Sequence, residues 1–356
     1  MKRNILIAPK NDLSTLYKNY TSTEYNFLFY VDSYKKDIDS ISISNINNDM
    51  DYDEIIILSP NYYKEIFAEL VRNNISKKKI YFAIPNDSDF TKVTNIFYAG
   101  LLYKKYKYKE KLLVYYNNLQ LFLLKNKHKN KRIFLIGNGP SLKIEDLDKL
   151  KNEITFAANK IYLSYDQTDF RPTYYLVEDD LVYKQNYKNI SSLKGSIKFF
   201  PSYAKRWERP LRDGIYFKMN LLGSTTENFP NFHSNPLDEG LYWGSTVIYT
   251  MIEFAVYFGC NEIYLLGVDF SFEVPDTSEY NKYENRIDLI CNGEVNHFHK
   301  DYRKIGEKWN LPNLDVQLKS FTKAKEYCDS HGIRIYNVSR RTKLDIFEKI
   351  NFDTLF

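Results

Sequence analysis

The chain has 356 residues, of which 44% are hydrophobic and 17% aromatic, so it is long enough to bury more than one apolar core. Its 50 Lys and Arg residues against 45 Asp and Glu residues give a formal net charge of +5, which over this length does not by itself indicate a nucleic-acid-binding protein. The three scattered cysteines exclude a disulfide framework and a thiolate metal site, and they fit a reducing cytoplasm.

The N-terminal residues predict neither a secretion signal nor a membrane anchor. The apolar run over residues 5–8 is too short for a signal peptide. A membrane-spanning helix needs about 18 consecutive apolar residues, and the chain has no such stretch. We therefore expect a cytoplasmic protein.

Short apolar runs in the first hundred residues predict buried parallel strands. They occupy residues 4–8, 27–31, 54–58 and 79–84. Between the last two runs, Ile66, Phe67, Leu70 and Val71 recur at helical spacing, which indicates a strand-helix-strand unit. The sequence predicts a small N-terminal α/β domain over residues 1–95.

A helical connector is expected over residues 96–131, since this segment lacks Pro and its apolar residues recur along most of its length. It carries two basic clusters, at residues 104–109 and 125–132. Such clusters indicate either a solvated helix face with a basic linker, or contact with anionic lipid or an anionic acceptor. Peripheral contact with the inner membrane is therefore one expectation, with a solvated surface as the alternative.

A second α/β pattern occupies residues 132–356. Apolar runs at residues 133–136, 155–158, 174–177, 263–267 and 333–338 predict strands, and residues 247–258 and 314–330 predict helices. Alternation of strand and helix is typical of a doubly wound, Rossmann-like parallel sheet. We expect this domain to carry the functional site.

The turn after the first strand of this domain reads Gly137-Asn138-Gly139-Pro140-Ser141. Glycines permit a tight turn and a close approach of backbone N–H groups to a phosphate. The turn is not a dinucleotide-binding fingerprint, because the third glycine is missing, and it is not a P-loop, because no Gly-Lys-Ser/Thr follows. An ordinary strand-turn-helix connection is the alternative.

Three segments carry a resemblance to a known superfamily: residues 136–142, 158–163 and 259–270. In order and rough spacing they resemble the bacterial sialyltransferases that decorate lipooligosaccharides. The same core occurs in motility-accessory-factor flagellin glycosyltransferases and in 6-hydroxymethylpterin diphosphokinase-like proteins. The resemblance covers about residues 132–350, and it implies a glycosyltransferase-A-like variant of the Rossmann-like fold.

The resemblance implies a binding site for a CMP-linked donor. The residues that would contact this donor are Gly137, Asn138, Gly139, Pro140, Ser141, Asn159 and Asp269. Tyr280 and Tyr283 lie where the family carries tyrosines that bind the departing phosphate. Two phenolic donors can stabilise charge on a leaving phosphate without a metal ion.

The resemblance places the family's active-site histidine in the segment of this chain that contains His297, His299 and Tyr302. A histidine with an ordinary pKa of about 6.5 suits removal of a proton from an acceptor hydroxyl. The local order of the family is not reproduced here, so either histidine could be the base, and Tyr302 could be a phosphate-binding phenol. A structural role for both histidines and a His-x-His metal pair are the alternatives.

Two segments depart from the sialyltransferase pattern. Glu178 and Asp179 place acids where a nonulosonate carboxylate would be repelled, so they are expected to bind sugar hydroxyls or to act in catalysis, unless they form a solvated loop. Ser245 and Thr246 stand where the sialyltransferases carry Ser-Gly, closer to the flagellin-modifying relatives. Both pairs remain candidate donor-binding residues.

The leading hypothesis is a metal-independent, inverting glycosyltransferase without a cofactor. It would move a nonulosonic acid such as sialic acid from its CMP-activated form, the co-substrate, to a lipopolysaccharide, capsule or glycoprotein acceptor. The alternatives are a Mg-dependent pyrophosphokinase-like transferase and a non-catalytic nucleotide-binding scaffold. No nucleic-acid partner is expected. The sequence leaves open the donor sugar, the acceptor, a homo-oligomeric state and the role of the N-terminal domain.

Overall fold

The computed structural model describes residues 2–32, 37–46, 50–86, 89–206, 210–221, 230–273, 280–283 and 286–356, with the backbone alone at residues 206, 280–283 and 286–288. The chain forms two compact units, Met1–Tyr116 and Asn117–Phe356. The division between them lies inside the segment expected to be a helical connector.

The first unit is built on a six-stranded sheet in the order β3-β2-β1-β4-β5-β6. Neighbouring strands are parallel except for the antiparallel pair β5 and β6. The strands are β1 (Arg3–Ala8), β2 (Tyr25–Val31), β3 (Ser40–Ile41), β4 (Glu54–Ile57), β5 (Ile80–Pro85) and β6 (Phe90–Val93). The helices are α1 (Asp12–Tyr20), α2 (Tyr63–Arg72) and α3 (Ile96–Leu124), which continues into the second unit.

The second unit is built on an eight-stranded sheet in which every neighbouring pair is parallel. Its order is β11-β10-β9-β8-β7-β14-β18-β19. The strands are β7 (Arg132–Ile136), β8 (Thr155–Ala158), β9 (Tyr174–Leu176), β10 (Ile197–Pro201), β11 (Gly214–Phe217), β14 (Glu262–Leu266), β18 (Arg334–Asn337) and β19 (Glu348–Lys349). The Rossmann-like α/β fold expected from the sequence is confirmed.

Further elements surround this sheet. The helices are α4 (Ile144–Lys149), α5 (Asp180–Ser192), α6 (Val247–Tyr257) and α7 (Leu314–Ser330). Two short strands pair as β12 (Met219–Asn220) and β13 (Leu241–Tyr242), and a small antiparallel sheet contains β15 (Tyr280–Tyr283), β16 (Arg286–Ile290) and β17 (Lys308–Asn310). Across the described residues, none of the helices combines the length and the apolar character needed to cross a membrane.

The central strands are apolar on both faces because helices cover both sides of the sheet. Leu135 and Phe156 pack into the core on one face, whereas Phe134 and Ile136 pack into the core on the other. This alternation follows from the two-residue period of a strand. It explains why these strands appear in the sequence as continuous apolar runs.

The strand order of the second unit reverses between β7 and β14. From β7 the chain proceeds outward through β8, β9, β10 and β11, and it then returns to place β14 on the other side of β7. The connections leaving these two strands diverge, which opens a crevice at their carboxyl ends. In doubly wound sheets ligands bind at this switch point.

Candidate functional site

A cleft of about 1490 Å³ lies at this switch point. Most of the residues expected to bind the donor or act in catalysis line it: Gly137, Asn138, Gly139, Asn159, Glu178, Asp179, Ser245, Thr246, Asp269, His297 and Tyr302. Pro140, Ser141 and His299 are not part of its lining. The side chains of Tyr280 and Tyr283 lie outside the described residues, so their role stays a prediction.

The two glycines of the turn are needed because the backbone after β7 packs directly against the backbone after β14. A Cβ atom on Gly137 would lie 2.4 Å from the carbonyl oxygen of Gly267, and one on Gly139 would lie 2.8 Å from the same oxygen. The Gly139 amide donates to this oxygen at 2.9 Å. No side chain fits into such a contact.

Asp269 fixes the second half of the turn. Its carboxylate accepts hydrogen bonds from the backbone amide of Ser141, at 2.8 Å, and from the Ser141 hydroxyl. Burial raises the pKa of Asp269, although both bonds from Ser141 oppose this shift. Ser141 was expected to contact the donor, but its amide and hydroxyl are both bonded within the protein.

Two asparagine side chains carry buried oxygen atoms that lack a partner in the cleft wall. The Asn138 amide nitrogen donates to the Ala158 carbonyl at 3.0 Å, which leaves its Oδ1 atom free. The Oδ1 atom of Asn159 is likewise buried without a partner. Buried acceptors are normally satisfied, so these atoms call for a ligand that brings N–H or O–H donors.

His297 is held by an acid that sequence reasoning missed. Its Nδ1 atom lies 3.0 Å from Oε1 of Glu294, and its ring stacks on Tyr302 with centroids 3.7 Å apart. Since a carboxylate only accepts hydrogen bonds, Nδ1 carries the proton and Nε2 has the free lone pair. Burial lowers the pKa of His297 to about 4, below the ordinary value of about 6.5 expected from the sequence, so the imidazole is neutral near pH 7 but a weaker base than expected. The Glu-x-x-His spacing was the available signal.

His299 is in a different position. Its Nδ1 atom accepts a hydrogen bond from the backbone amide of Asp301 at 3.1 Å, and the residue does not line the cleft. The sequence leaves the choice between the two histidines open. The geometry places His297, and not His299, where a substrate hydroxyl could reach it.

Two cations near His297 were also missed by sequence reasoning. Arg303 stacks on the Trp309 ring at 3.9 Å, and its Nη1 atom lies 3.8 Å from Glu294. Lys160 is almost fully buried, and its Nζ atom forms an ion pair with Glu307 at 3.0 Å. Lys160, Arg303, Trp309 and Glu307 line the cleft, whereas Glu294 does not. Lys160 and Arg303 thus give this wall two cationic groups, each with an acid nearby, that could face an anionic ligand.

Glu178 and Asp179 have different environments although they are adjacent. Oε2 of Glu178 accepts a hydrogen bond from the Thr250 hydroxyl at 2.8 Å, and burial raises the Glu178 pKa to about 7. Asp179 caps α5 by accepting from the Val182 amide at 3.0 Å, and it also accepts from Asn310. Glu178 is thus a carboxyl group that titrates near neutral pH inside the cleft.

Ser245 and Thr246 shape the start of α6. Ser245 adopts a left-handed backbone with φ 60°, and its carbonyl accepts a hydrogen bond from Gln317 at 3.0 Å. Thr246 caps the helix through its contact with the Ile248 amide.

In the described part of the chain, no group of three or more His, Cys, Asp or Glu side chains is arranged to hold a metal ion.

Comparison with known proteins gives two similarities. Residues 109–275 match the family model described as 6-hydroxymethylpterin diphosphokinase MptE-like. Among solved structures, the MAf glycosyltransferase from Magnetospirillum magneticum AMB-1 is similar, with a TM-score of 0.41 and 12% identity. That comparison covers 100% of this chain, which spans 58% of the length of the other protein. No curated protein sequence matches significantly.

The family match includes β7, the glycine turn, Asn159, the acidic pair Glu178 and Asp179, and Asp269. It ends before the segment that carries Glu294 and His297. A diphosphokinase is a transferase, so the family match supports a transferase at this coarse level. The resemblance of the chain to the superfamily that contains MptE-like proteins is therefore confirmed for residues 109–275.

Proposed function

We propose that this chain is a metal-independent, inverting glycosyltransferase that uses a CMP-activated sugar, with His297 as its general base. The observation that carries the proposal is the Glu294–His297 pair, which presents a neutral imidazole to a cleft at the switch point of the sheet. The resemblance to lipooligosaccharide sialyltransferases supports it, and the family match supports a transferase in general.

The proposed reaction is a single displacement. The acceptor hydroxyl oxygen attacks the anomeric carbon, Nε2 of His297 removes the hydroxyl proton, and the bond from that carbon to the phosphate oxygen breaks. CMP leaves with the electron pair. Glu294 holds the Nδ1–H group and stabilises the imidazolium that forms, which is the usual function of an acid behind a catalytic histidine.

The nucleoside would be recognised by acceptor atoms of the protein. The unpartnered oxygens of Asn138 and Asn159 suit ribose hydroxyls or the amino group of a cytosine base, both of which are hydrogen-bond donors. The phosphate would lie toward the cationic wall that contains Lys160 and Arg303. Glu178 would hydrogen-bond a sugar hydroxyl. The acceptor would be a bacterial surface glycan or glycoprotein.

A second function is favoured by the family match alone, because that family is named for a diphosphokinase. In this case the cleft would bind a nucleoside triphosphate with Mg²⁺ and transfer a pyrophosphoryl group to a hydroxyl. The charge on the transferred phosphates normally requires a divalent cation. His297 could again accept the hydroxyl proton, so the two functions differ mainly in the donor.

Melting temperature measured with CMP, CDP, UDP, GDP and ATP, each with and without Mg²⁺, separates these proposals. A ligand that binds only the folded state raises the melting temperature. We expect CMP or CDP to raise it without Mg²⁺. A rise only with ATP and Mg²⁺ would replace the glycosyltransferase proposal with the diphosphokinase, and no rise with any nucleotide would refute both.

The base is tested by comparing His297→Gln with His299→Gln, which removes a nearby imidazole that does not line the cleft. Turnover is measured as CMP release from CMP-sialic acid. General-base catalysis contributes about 10²-fold or more, so His297→Gln should lose at least that factor while CMP still raises its melting temperature. Equal activity of the two variants would show that His297 is not the base.

A further inference from the structure

Helix α3 has an inner face that the fold of the first unit explains. Ala99, Leu102, Tyr103 and Tyr106 follow the three-to-four residue spacing of a helix and pack on the core of the six-stranded sheet. The Tyr103 hydroxyl donates to the Ile57 carbonyl at 2.8 Å. This face accounts for the position of α3 on its own unit.

The opposite face over residues 97–116 is apolar and exposed. The side chains that form this outer face are Phe97, Tyr98, Leu101, Tyr108, Leu112, Tyr115 and Tyr116. Their exposed fractions range from 50% for Leu112 to 86% for Phe97. A continuous exposed stripe of this kind is unusual on a protein surface and marks an interaction site.

Lysines border this outer face. Each residue of an α-helix turns it by about 100°. Lys104 and Lys111 therefore lie along one edge of the outer face and Lys109 along the other edge, while Lys105 lies within the face. All four are exposed. Glu110 is the single acid between residues 104 and 111. The face therefore combines an apolar stripe with a strong local excess of positive charge.

We propose that the outer face of α3 docks on an anionic membrane surface. The helix would lie parallel to the bilayer, with Phe97, Leu101 and Leu112 in the boundary between headgroups and acyl chains. Tyrosine side chains are suited to that boundary, since the ring is apolar and the hydroxyl is polar and can stay hydrated. The lysines would extend to the anionic headgroups on both sides of the stripe.

A second copy of the chain fits the same face less well. The outer-face residues 98, 101, 105, 108, 112 and 115 have the spacing of a coiled-coil seam. In a parallel pair, however, Lys105 would face Lys105 of the second copy and Lys104 would lie near its Lys109, so like charges would meet. Tyr108 and Tyr115 would also occupy positions that favour aliphatic side chains. The charge of the face complements anionic lipid instead.

The experiment is sedimentation of the full chain with vesicles of phosphatidylcholine alone and with vesicles that also contain phosphatidylglycerol. We expect binding only to the anionic vesicles, and weaker binding at high salt because salt screens the lysines. Binding should be weakened at least about tenfold in a quadruple variant that carries Lys104→Gln, Lys105→Gln, Lys109→Gln and Lys111→Gln. Leu112→Gln with Tyr115→Gln should weaken it as well, by removing the apolar contact.

The matched control replaces four other exposed lysines by glutamine: Lys77, Lys78, Lys188 and Lys194. It loses the same charge and should bind as the wild type does. Equal weakening in the control, equal binding to neutral vesicles, or no binding by the wild type would overturn the proposal. The proposal would also be overturned if the wild type did not bind vesicles, sedimented as a dimer, and became a monomer when Leu112→Gln and Tyr115→Gln were introduced together. Circular dichroism verifies that each variant is folded.

Discussion

The buried carboxyl of Glu178 gives a prediction about stability as a function of pH. Glu178 lines the cleft and accepts a hydrogen bond from Thr250, and burial raises its pKa from 4.5 to about 7. In the unfolded chain the same carboxyl ionises with its ordinary pKa. As pH rises from 4.5 through 7, the unfolded state therefore loses its proton first, and the folded state becomes relatively less stable.

The magnitude follows from the two pKa values. Each pKa unit corresponds to about 1.4 kcal/mol, so the raised pKa of Glu178 lowers the unfolding free energy by about 3 kcal/mol at pH 8 and by about 1 kcal/mol at pH 5. Glu178→Gln keeps the shape and an oxygen that can accept from Thr250, but it cannot ionise. The unfolding free energy of the variant minus that of the wild type should therefore be about 2 kcal/mol larger at pH 8 than at pH 5.

Urea unfolding followed by tryptophan fluorescence measures this difference for the second unit, because all three tryptophans of the sequence fall within residues 117–356. The control is Glu145→Gln, which removes the same charge from an exposed position on α4. Its unfolding free energy should follow that of the wild type across the pH range. If the difference between Glu178→Gln and wild type is the same at pH 5 and pH 8, the proposed desolvation of Glu178 is wrong.

Two further predictions concern the positioning of the site. Glu294→Gln should lower kcat at least about tenfold without a matching change in KM, because the imidazolium of His297 loses its compensating charge; an unchanged kcat in CMP release would contradict this. Gly139→Ala should cost about 1–3 kcal/mol and abolish the nucleotide-induced rise in melting temperature, since its Cβ would lie 2.7 Å from Cγ of Asp269. A variant that melts and binds like wild type would refute the close contact between the two turns.

Local pattern alone predicted the class of the fold. The apolar runs at residues 133–136, 155–158 and 263–267 correspond to β7, β8 and β14, because strands covered on both faces must be continuously hydrophobic. The glycine turn was predicted as part of the site, and its Gly137, Asn138 and Gly139 line the cleft, whereas Pro140 and Ser141 do not. Neither result required a long-range contact, since helical and strand periodicity are properties of neighbouring residues.

The sequence could not predict the reason for the glycines. Gly137 and Gly139 were expected to admit a phosphate, whereas the structure shows them admitting the backbone of Gly267, which lies 128 or more residues away along the chain. Similarly, the bond between Ser141 and Asp269 depends on β7 and β14 being neighbours. The order of strands in a sheet is a tertiary property that periodicity does not contain.

What the sequence determined by itself is the alternation of strand and helix, the turn after β7 and the family resemblance, because each depends on short segments. What only the tertiary structure decided is which histidine faces the cleft, that Glu294 holds it, and that Glu178 is buried. Desolvation and hydrogen-bond geometry depend on segments brought together by folding, such as α6 against the end of β9. For this reason the residue types were visible in the sequence, while their protonation states were not.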